Sequence, residues 1–450
     1  MRAESAVVLF VVVLAVSSVS FAVPVGSSSA VETRGIEQDR PRGALDSDGV
    51  ASGSVAVPSP DESAPLAGFD QVHEAGITGA DVRVGVVGSA FATDRGHLGD
   101  AVVDRRRFAP QGPGLIADSS HDTAVAEVVS RTAPDADIYL ASIGRGGGPQ
   151  EYADAVAWLR ARDVDVIVDA GSYFPKSADD RERLNAVAAA ATENGTAFVT
   201  SAGNYADRHW TGQGSEGWID FGNDTRYNTL GDGEVSGPVS LRLYWSGTDR
   251  YDLYLYRAVD GEDQLVAKSA TNETGDGRHS EAIDATLPSG RYYVAVRGDA
   301  GANGTVELFS SSNDLAISSE DGGIVAPATA EGVVAVGAVD SVTGDPRPYS
   351  SMGPALDISA PDGTATTAAG EFYGSSAAAP LVAGTLTLML AENESLTPTE
   401  AQRVLREAAI RVDGRLYLDT ASAVRAVAPA SSVEPRRPLW IQGGTNETRD

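Results

Sequence analysis

The hydrophobic residues of this chain fall into short continuous runs, and amphipathic segments lie between them. The runs are rich in β-branched residues and predict strands at Val82–Val87, Asp137–Ile143, Val164–Val168, Ala197–Thr200, Val333–Val339 and Leu356–Ser359. Helical periodicity predicts helices at Thr123–Arg131, Glu151–Arg162, Asp180–Glu193, Ser376–Glu392, Thr399–Ala409 and Thr420–Val427. Apolar strands that alternate with such helices indicate an α/β fold with a mostly parallel sheet covered on both faces.

Between residues 209 and 315 the pattern changes to alternation of apolar and polar residues, without helical periodicity. Strands are predicted at Val239–Trp245, Asp252–Tyr256 and Arg291–Val296, bounded by Gly, Asp and Asn turns. This indicates a small all-β sandwich. Since the α/β pattern returns afterwards, we expect the sandwich to be inserted into one α/β domain that spans residues 66–208 and 316–428.

The two ends of the chain lack this patterning. The apolar run Ala6–Val16, followed by the small-x-small pattern Ser20–Ala22, predicts a secretory signal peptide over residues 1–23 and a secreted protein. An uncleaved membrane anchor is the alternative, because the apolar stretch is just long enough to span a bilayer. Residues 24–65, rich in Ser, Gly, Pro and Asp, predict a disordered linker, and residues 429–450 a disordered tail.

The composition limits the environments in which the protein could work and the partners that it could bind. The 450 residues carry a formal net charge of −29, which argues against a nucleic-acid partner. Lysine occurs only at Lys176 and Lys268. An acidic, lysine-poor surface is typical of proteins of halophilic organisms, where salt screens self-repulsion, and a GC-rich genome also favours arginine codons. The absence of cysteine excludes disulfides, a cysteine nucleophile and thiolate metal ligands.

Four short segments carry candidate chemistry. Val86–Ser89 ends the first predicted strand, His121–Ala126 opens a helix, Ser201–Asn204 ends a strand, and Gly374–Pro380 opens a helix. Each segment alone is weak evidence. A serine followed by alanines is usually a helix N-cap, a lone histidine is more often structural, and an asparagine after glycine usually marks a turn.

Taken together, three of these residues suit nucleophilic catalysis. At a helix N-terminus, the free N–H groups and the helix dipole would stabilise negative charge at Ser376. His121 is the candidate base that takes the serine proton. The Ser376 N–H and the Asn204 side chain are candidate donors to the oxyanion of a tetrahedral intermediate.

In this order the segments resemble the subtilisin-like serine proteases, the subtilases. That family reads D-[ST]-G, H-G-T-H-V-A, A-G-N and G-T-S-M-A-A-P-H-V-A-G, and the matching segments here are Gly88–Ala90, His121–Ala126, Ala202–Asn204 and Gly374–Gly384. The resemblance covers residues 67–207 and 324–427. It implies a subtilisin-like three-layer fold and an exported serine endopeptidase that hydrolyses peptide bonds in peptide or protein substrates.

The resemblance implies further features of the site. Family members bind a peptide as an added strand between two edge segments, here Gly146, Gly147 and Gly148 on one side and Ala170 and Gly171 on the other. A flexible loop is the alternative for the first edge, and the second lacks the S-L-G-G of the family. No cofactor is required; subtilases often bind structural calcium, but no EF-hand-like loop assigns a site here. The insert resembles a bacterial pre-peptidase C-terminal-type β-sandwich.

The sequence departs from the family at the triad aspartate. Gly88 stands in its place, and loss of that carboxylate costs about 10⁴ in kcat in well-studied triads. Asp122 replaces the glycine that follows the family's histidine. Either Asp122 or a water held at Gly88 orients His121 in place of the missing aspartate, or Asp122 caps the helix that it opens. Asp94 is a weaker candidate to replace the missing aspartate. We therefore expect either a protease with a rewired triad or a pseudoprotease that binds peptides or a protein partner.

Overall fold

Parallel strands that are buried on both faces form the centre of the α/β part. The computed structural model describes residues 66–92, 98, 101–109, 119–144, 147–270 and 279–428. The predicted signal peptide, linker and tail lie outside these residues, as do Gly146 and Asp94. The first elements are α1 (Ala67–Glu74), β1 (Arg83–Gly88), β2 (Val102–Arg107), α2 (Ser120–Thr132), β3 (Asp137–Ser142), α3 (Pro149–Arg160), β4 (Val166–Asp169), α4 (Ala178–Glu193) and β5 (Ala197–Ser201).

The remaining elements form an antiparallel region and then return to the α/β pattern. The antiparallel region contains β6 (His209–Gln213), β7 (Gly217–Trp218), β8 (Asn228–Thr229), β9 (Val235–Trp245), β10 (Tyr251–Ala258), β11 (Gln264–Ser269), β12 (Ser280–Gly298) and β13 (Thr305–Ser310). After it come β14 (Val334–Val339), β15 (Ile358–Pro361), β16 (Thr364–Thr366), β17 (Gly370–Phe372), α5 (Ser375–Glu392), α6 (Pro398–Ala408), β18 (Ile410–Val412), β19 (Arg415–Tyr417) and α7 (Thr420–Val427).

The central sheet has nine strands in the order β18-β19-β15-β14-β5-β4-β1-β3-β2. All neighbours are parallel except β18 and β19. Val166 and Val168 of β4 pack into the core that contains α2 and α5, whereas Ile167 packs into the core that contains α3 and α4. Helices therefore cover both faces, and the predicted α/β fold with a mainly parallel sheet is confirmed.

Three strand ends meet at one edge of this sheet. β1, β4 and β5 are neighbours, and the register pairs Val87 with Asp169 and Asp169 with Thr200. In parallel strands the carboxyl ends lie on the same edge, which is where α/β folds place their ligands. Gly88 and the residues that follow β4 and β5 are therefore brought together there.

Helix α5 runs through the core next to α2. Its residues Ser375–Leu390 are all buried. Among the described residues it is the one helix with the length and apolar composition of a membrane span, and 89% of it is buried within the protein, as expected of a core helix.

The close packing of α5 on α2 depends on Gly384. A Cβ at this position would lie 2.1 Å from Oγ1 and 2.5 Å from Cβ of the fully buried Thr132. Alanine favours a helix over glycine by about 1 kcal/mol, but overpacking a core costs about 1–3 kcal/mol. We expect Gly384→Ala to lower the midpoint of denaturant unfolding. Gly233→Ala is the matched control, since its added methyl group meets no atom within 4 Å; equal midpoints for the two variants would contradict the prediction.

The antiparallel region has its own sheet and its own core. Seven strands are arranged as β11-β10-β12-β9-β13-β6, with β8 paired to β12. Its buried residues include Trp210, Leu241, Leu253, Val294 and Leu308. The assignment of this region as an inserted β-sandwich domain, and the domain boundaries, stay predictions.

This region contacts the segment that follows β4. Arg242 Nε donates to the Phe174 carbonyl at 3.0 Å, and Tyr244 Oη donates to the Pro175 carbonyl at 2.6 Å. The Ala178 N–H donates to Ser280 Oγ at 3.0 Å. The antiparallel region therefore fixes the chain a few residues beyond the second predicted edge of the cleft.

Candidate active site

The carboxylate of Asp122 occupies the space that a side chain at position 88 would need. Gly88 ends β1, and a Cβ added there would lie 2.6 Å from Asp122 Cγ. Asp122 lies in the first turn of α2 and is only 8% exposed. The two residues are therefore complementary in shape, because the absence of a side chain at Gly88 leaves the space that the Asp122 carboxylate fills.

Both oxygens of Asp122 have partners at this strand end. Oδ1 lies 2.8 Å from His121 Nδ1. Oδ2 accepts hydrogen bonds from the backbone N–H groups of Ser89 at 2.6 Å and Ala90 at 3.0 Å. The interpretation of Asp122 as a helix cap is wrong, because the N-cap is Ser119 and the carboxylate turns away towards β1, where Gly88 leaves space and two N–H groups point into it.

The ring of His121 is held on two sides. One side is the carboxylate of Asp122, and the other is Phe372, whose ring lies perpendicular to the imidazole at a centroid distance of 5.4 Å. A carboxylate only accepts hydrogen bonds, so Nδ1 carries the hydrogen and Nε2 of the neutral ring is left as the basic nitrogen. The side chain is 44% exposed, which keeps it within reach of a substrate.

Ser376, the expected nucleophile, is the second residue of α5 and is 7% exposed. Its hydroxyl donates to the carbonyl of Ala170 at 3.0 Å. Within the described part of the chain, no hydrogen bond joins Ser376 to His121. The expected contact between nucleophile and base is therefore not made; without substrate the buried hydroxyl satisfies itself on a carbonyl, and catalytic hydrogen bonds commonly tighten only when substrate binds.

Asn204 is tied to the start of the same helix. Its Oδ1 accepts from the backbone N–H of Ser375 at 2.9 Å and from Ser375 Oγ at 3.1 Å. These donors fix the orientation of the amide, so Nδ2 faces Gly374, where a Cβ would come within 2.7 Å of it. Gly374 has φ 97°, a conformation that favours glycine, so both its backbone and its missing side chain suit this position.

The predicted edges of the cleft are only partly described. Gly146 lies outside the described residues. Gly147 precedes Gly148, which is the N-cap of α3 and donates its N–H to Glu151 Oε2 at 2.9 Å. Ala170 directly follows β4 and contacts Ser376, while the carbonyl of the next residue, Gly171, accepts from Ser201 Oγ at 3.2 Å. Ala170, in the second predicted edge, is therefore next to the serine.

A buried aspartate that sequence reasoning missed holds the backbone just before helix α5, which carries Ser376. Asp362 is fully buried, and its Oδ2 accepts from the backbone N–H of Gly374 at 2.8 Å. Arg347 Nε donates to Oδ1 at 2.6 Å, and the hydroxyl of Tyr349 also donates to this carboxylate. Burial and the bond to Asp362 raise the pKa of Tyr349. Its sequence signals were its place in Ala360–Gly363, a segment that resembles the APG of the family, and its position directly after a strand, where a buried charge requires partners.

Within the residues that the structure describes, no three or more His, Asp or Glu side chains are grouped so that they could hold a metal ion. Structural calcium therefore remains without an assigned position.

Comparison with known proteins identifies the family. A profile of the Subtilase family matches residues 113–234 and 247–434, more than half of the chain, and these ranges begin after β1 and Gly88. Among solved structures, the CspB protease of Clostridium perfringens is 15% identical, with a TM-score of 0.58 over 78% of this chain and 94% of that one. The nisin leader peptidase NisP of Lactococcus lactis is 16% identical, with a TM-score of 0.46 over 80% and 93%.

The first of these structures shares the fold, and the family match adds the chemistry. Subtilases are serine proteases, and their substrates are peptides or proteins. With its mainly parallel sheet and its match to the family profile, the chain belongs to the subtilase family of subtilisin-like serine proteases.

Proposed function

We propose that this subtilase is an exported serine endopeptidase in which Asp122, instead of a residue at position 88, orients the catalytic histidine. The observation that carries the proposal is the 2.8 Å contact between Asp122 Oδ1 and His121 Nδ1, made by a carboxylate that fills the space beside Gly88. The two N–H groups that donate to Oδ2 fix the direction of that carboxylate.

The proposed reaction follows from these positions. When substrate enters, the Ser376 hydroxyl leaves the Ala170 carbonyl and gives its proton to His121 Nε2 as Oγ attacks the scissile carbonyl carbon. Asp122 stabilises the imidazolium that results. Asn204 Nδ2 and the Ser376 N–H donate to the oxyanion. His121 then returns the proton to the leaving amine, the C–N bond breaks, and water hydrolyses the acyl-enzyme through the same base.

Export and a high-salt environment complete the proposal. Their support is the N-terminal apolar run with its small-x-small pattern, and the charge of −29 with only two lysines. We therefore place the enzyme outside the cell, where it would meet peptide or protein substrates.

One observation favours a second candidate function, a pseudoprotease that binds peptides or a protein partner without cleaving them. The Ser376 hydroxyl is engaged by the Ala170 carbonyl and not by His121. If that contact persisted in the presence of a peptide, Ser376 would not be activated, and the cleft would only bind.

A serine-reactive probe separates the two functions. An alkyl fluorophosphonate reacts with an activated serine by forming an O–P bond and expelling fluoride. We expect the purified protein, kept in high salt, to be labelled at Ser376, and Ser376→Ala to lose the label. Ser395→Ala, a change on the surface, should be labelled like the natural protein. Absence of Ser376-dependent labelling would exclude the protease and leave the binding function.

A further inference from the structure

A second buried carboxylate lies beneath the proposed cleft, and the reaction proposed above does not use it. Asp169 is the last residue of β4 and is fully buried, although the other three residues of this strand are apolar. A buried charge is expensive unless it is hydrogen-bonded, so its partners indicate what it stabilises.

The partners of Asp169 come from both sides of the cleft. Oδ2 accepts from the hydroxyl of Tyr152 at 2.8 Å. Oδ1 accepts from the backbone N–H of Gly171 at 2.9 Å and from the hydroxyl of Tyr173 at 3.2 Å. The rings of Tyr152 and Tyr173 pack edge to face, with centroids 5.2 Å apart. One carboxylate thus joins helix α3 to the turn that follows β4.

Each partner leads directly to a predicted edge. The backbone N–H of Tyr152 donates to the carbonyl of Gly148 at 3.1 Å, so this tyrosine links Asp169 to the first edge. On the second edge, Gly171 bonds to Asp169 itself, and the residue between them, Ala170, accepts from the hydroxyl of Ser376. A shift of Asp169 would therefore move both edges.

We propose that Asp169 is a positioning residue that holds the two edges of the peptide-binding cleft at a fixed separation. The inference rests on the proposed endopeptidase function, because it assigns these edges to substrate. Tyr152 and Tyr173 are the two arms through which Asp169 acts.

The electrostatics of Asp169 give the proposal a pH signature. Burial raises the pKa of Asp169 to about 6, although its hydrogen bonds lower it, and the charge of Asp122 raises it further. The titratable groups that face it are Tyr152, Tyr173 and Asp122, while its register neighbours Val87 and Thr200 do not titrate. Burial and the Asp169 charge raise the pKa of both tyrosines well above the usual value, so both remain donors.

The raised pKa of Asp169 makes the stability of the folded protein depend on pH. The folded protein holds a proton on Asp169 up to about pH 6, whereas the unfolded chain releases it near the ordinary value of 3.8. Between these values the folded state binds more protons, so the contribution of this group to stability falls as the pH rises through that window. Ionisation of Asp169 therefore lowers the stability of the folded protein.

The test compares two probes of Ser376 that differ in how much of the cleft they use. A small alkyl fluorophosphonate needs only the serine and its base. A mixture of tetrapeptidyl diphenyl phosphonates with randomised residues needs both edges as well; it also forms an O–P bond to Ser376 and expels phenol. Tyr152→Phe, Tyr173→Phe and Asp169→Asn are measured with both probes, and the matched control is Tyr292→Phe, a buried tyrosine whose hydroxyl bonds to the Pro288 carbonyl in the antiparallel region.

We expect each arm variant to slow the tetrapeptidyl probe by about tenfold, the effect of losing one hydrogen bond to a charged group. The alkyl probe should change less than about twofold with the same variants, and Tyr292→Phe should affect neither. Asp169→Asn should slow the tetrapeptidyl probe, yet melt at or above the temperature of the natural protein at pH 8, with this advantage lost near pH 4. A purely structural hydrogen bond would instead lower the melting temperature and slow both probes alike.

The outcomes separate this inference from the proposed function. If the natural protein is labelled by neither probe, the protease itself is excluded, and the inference falls with it. If the alkyl probe labels Ser376 and the arm variants slow both probes by the same factor, the protease stands and the positioning role of Asp169 is overturned. Amide hydrogen exchange over residues 147–152 and 169–173 adds a readout without a probe, and we expect it to be faster in the arm variants.

Discussion

Replacing Gly88 with aspartate should inactivate this protease, and activity should return only when Asp122 is changed to glycine in the same molecule. By the sequence resemblance, position 88 corresponds to the triad aspartate of the subtilases, so the single change would be expected to repair the enzyme. In the structure, however, a Cβ at 88 would lie 2.6 Å from Cγ and 2.8 Å from Cβ of Asp122. The two carboxylates would compete for one space and repel each other.

The expected magnitudes define a double-mutant cycle. Asp122→Gly alone should lower kcat by about 10⁴, the effect of losing the orienting carboxylate of a triad. Gly88→Asp alone displaces Asp122 from His121 and should cost about 1–3 kcal/mol of stability through overpacking. The double variant has the carboxylate at position 88 and the glycine at position 122. One carboxylate again lies beside His121 without a clash, so most of the activity should return. Such a large non-additive term is expected only for residues in contact.

The cycle is measured as kcat on a peptide substrate in high salt, with melting temperatures to show that each variant is folded. Asp122→Asn is the matched control, because it preserves the packing beside Gly88 and removes only the charge; it should lose about as much activity as Asp122→Gly. A Gly88→Asp variant with full activity, or a double variant no better than its parents, would refute the assignment of Asp122.

Loss of the Asn204 amide donor should have the second large effect. Asn204→Asp preserves the oxygen that accepts from Ser375 but replaces Nδ2 with a carboxylate oxygen. Removing one oxyanion donor lowers kcat by about 10²–10³ in enzymes of this type, and a negative charge facing the oxyanion should add to the loss. KM should change little, because the interaction forms only in the transition state.

Kinetics of Asn204→Asp and Asn204→Ala at constant salt test this assignment. The alanine variant also loses the bonds to Ser375, so it should melt at a lower temperature than the aspartate variant. A raised KM with unchanged kcat in both variants would mean that Asn204 binds the substrate and does not stabilise the transition state.

Most of the fold could be predicted from the sequence, because its core elements carry strong patterns. Helix α7 has the predicted bounds, Thr420–Val427, and β5 extends one residue beyond its prediction. Strand β2 was missed because its sequence, VVDRRR, lies at the edge of the sheet with exposed arginines and has no apolar run. The short strands β18 and β19 at the opposite edge escaped prediction for the same reason.

The active site was predictable only as far as motifs reach. The motifs predicted His121, Asn204 and Ser376. For Asp122 they left two interpretations open, a replacement for the triad aspartate or a helix cap. The sequence could not decide between them, because the direction of a side chain in the first turn of a helix depends on what the neighbouring strand leaves empty. Asp169 has no motif, and Asp362 lies in a segment that resembles the APG of the family but indicates no role for it; the partners of both are brought together by the fold and not by sequence spacing.

The shape complementarity of Gly88 and Asp122 also determines which natural variation this strand end can accept. The proposed base, His121, and its proposed orienting acid, Asp122, are consecutive residues of helix α2, so no insertion can come between them without breaking the pair. β1 contributes only an empty space at 88 and two backbone N–H groups at 89 and 90. Among descendants of this gene, positions 89 and 90 should therefore vary among many non-proline residues, because only their N–H groups are used. Position 88 should stay glycine, because any side chain there would displace the carboxylate of Asp122.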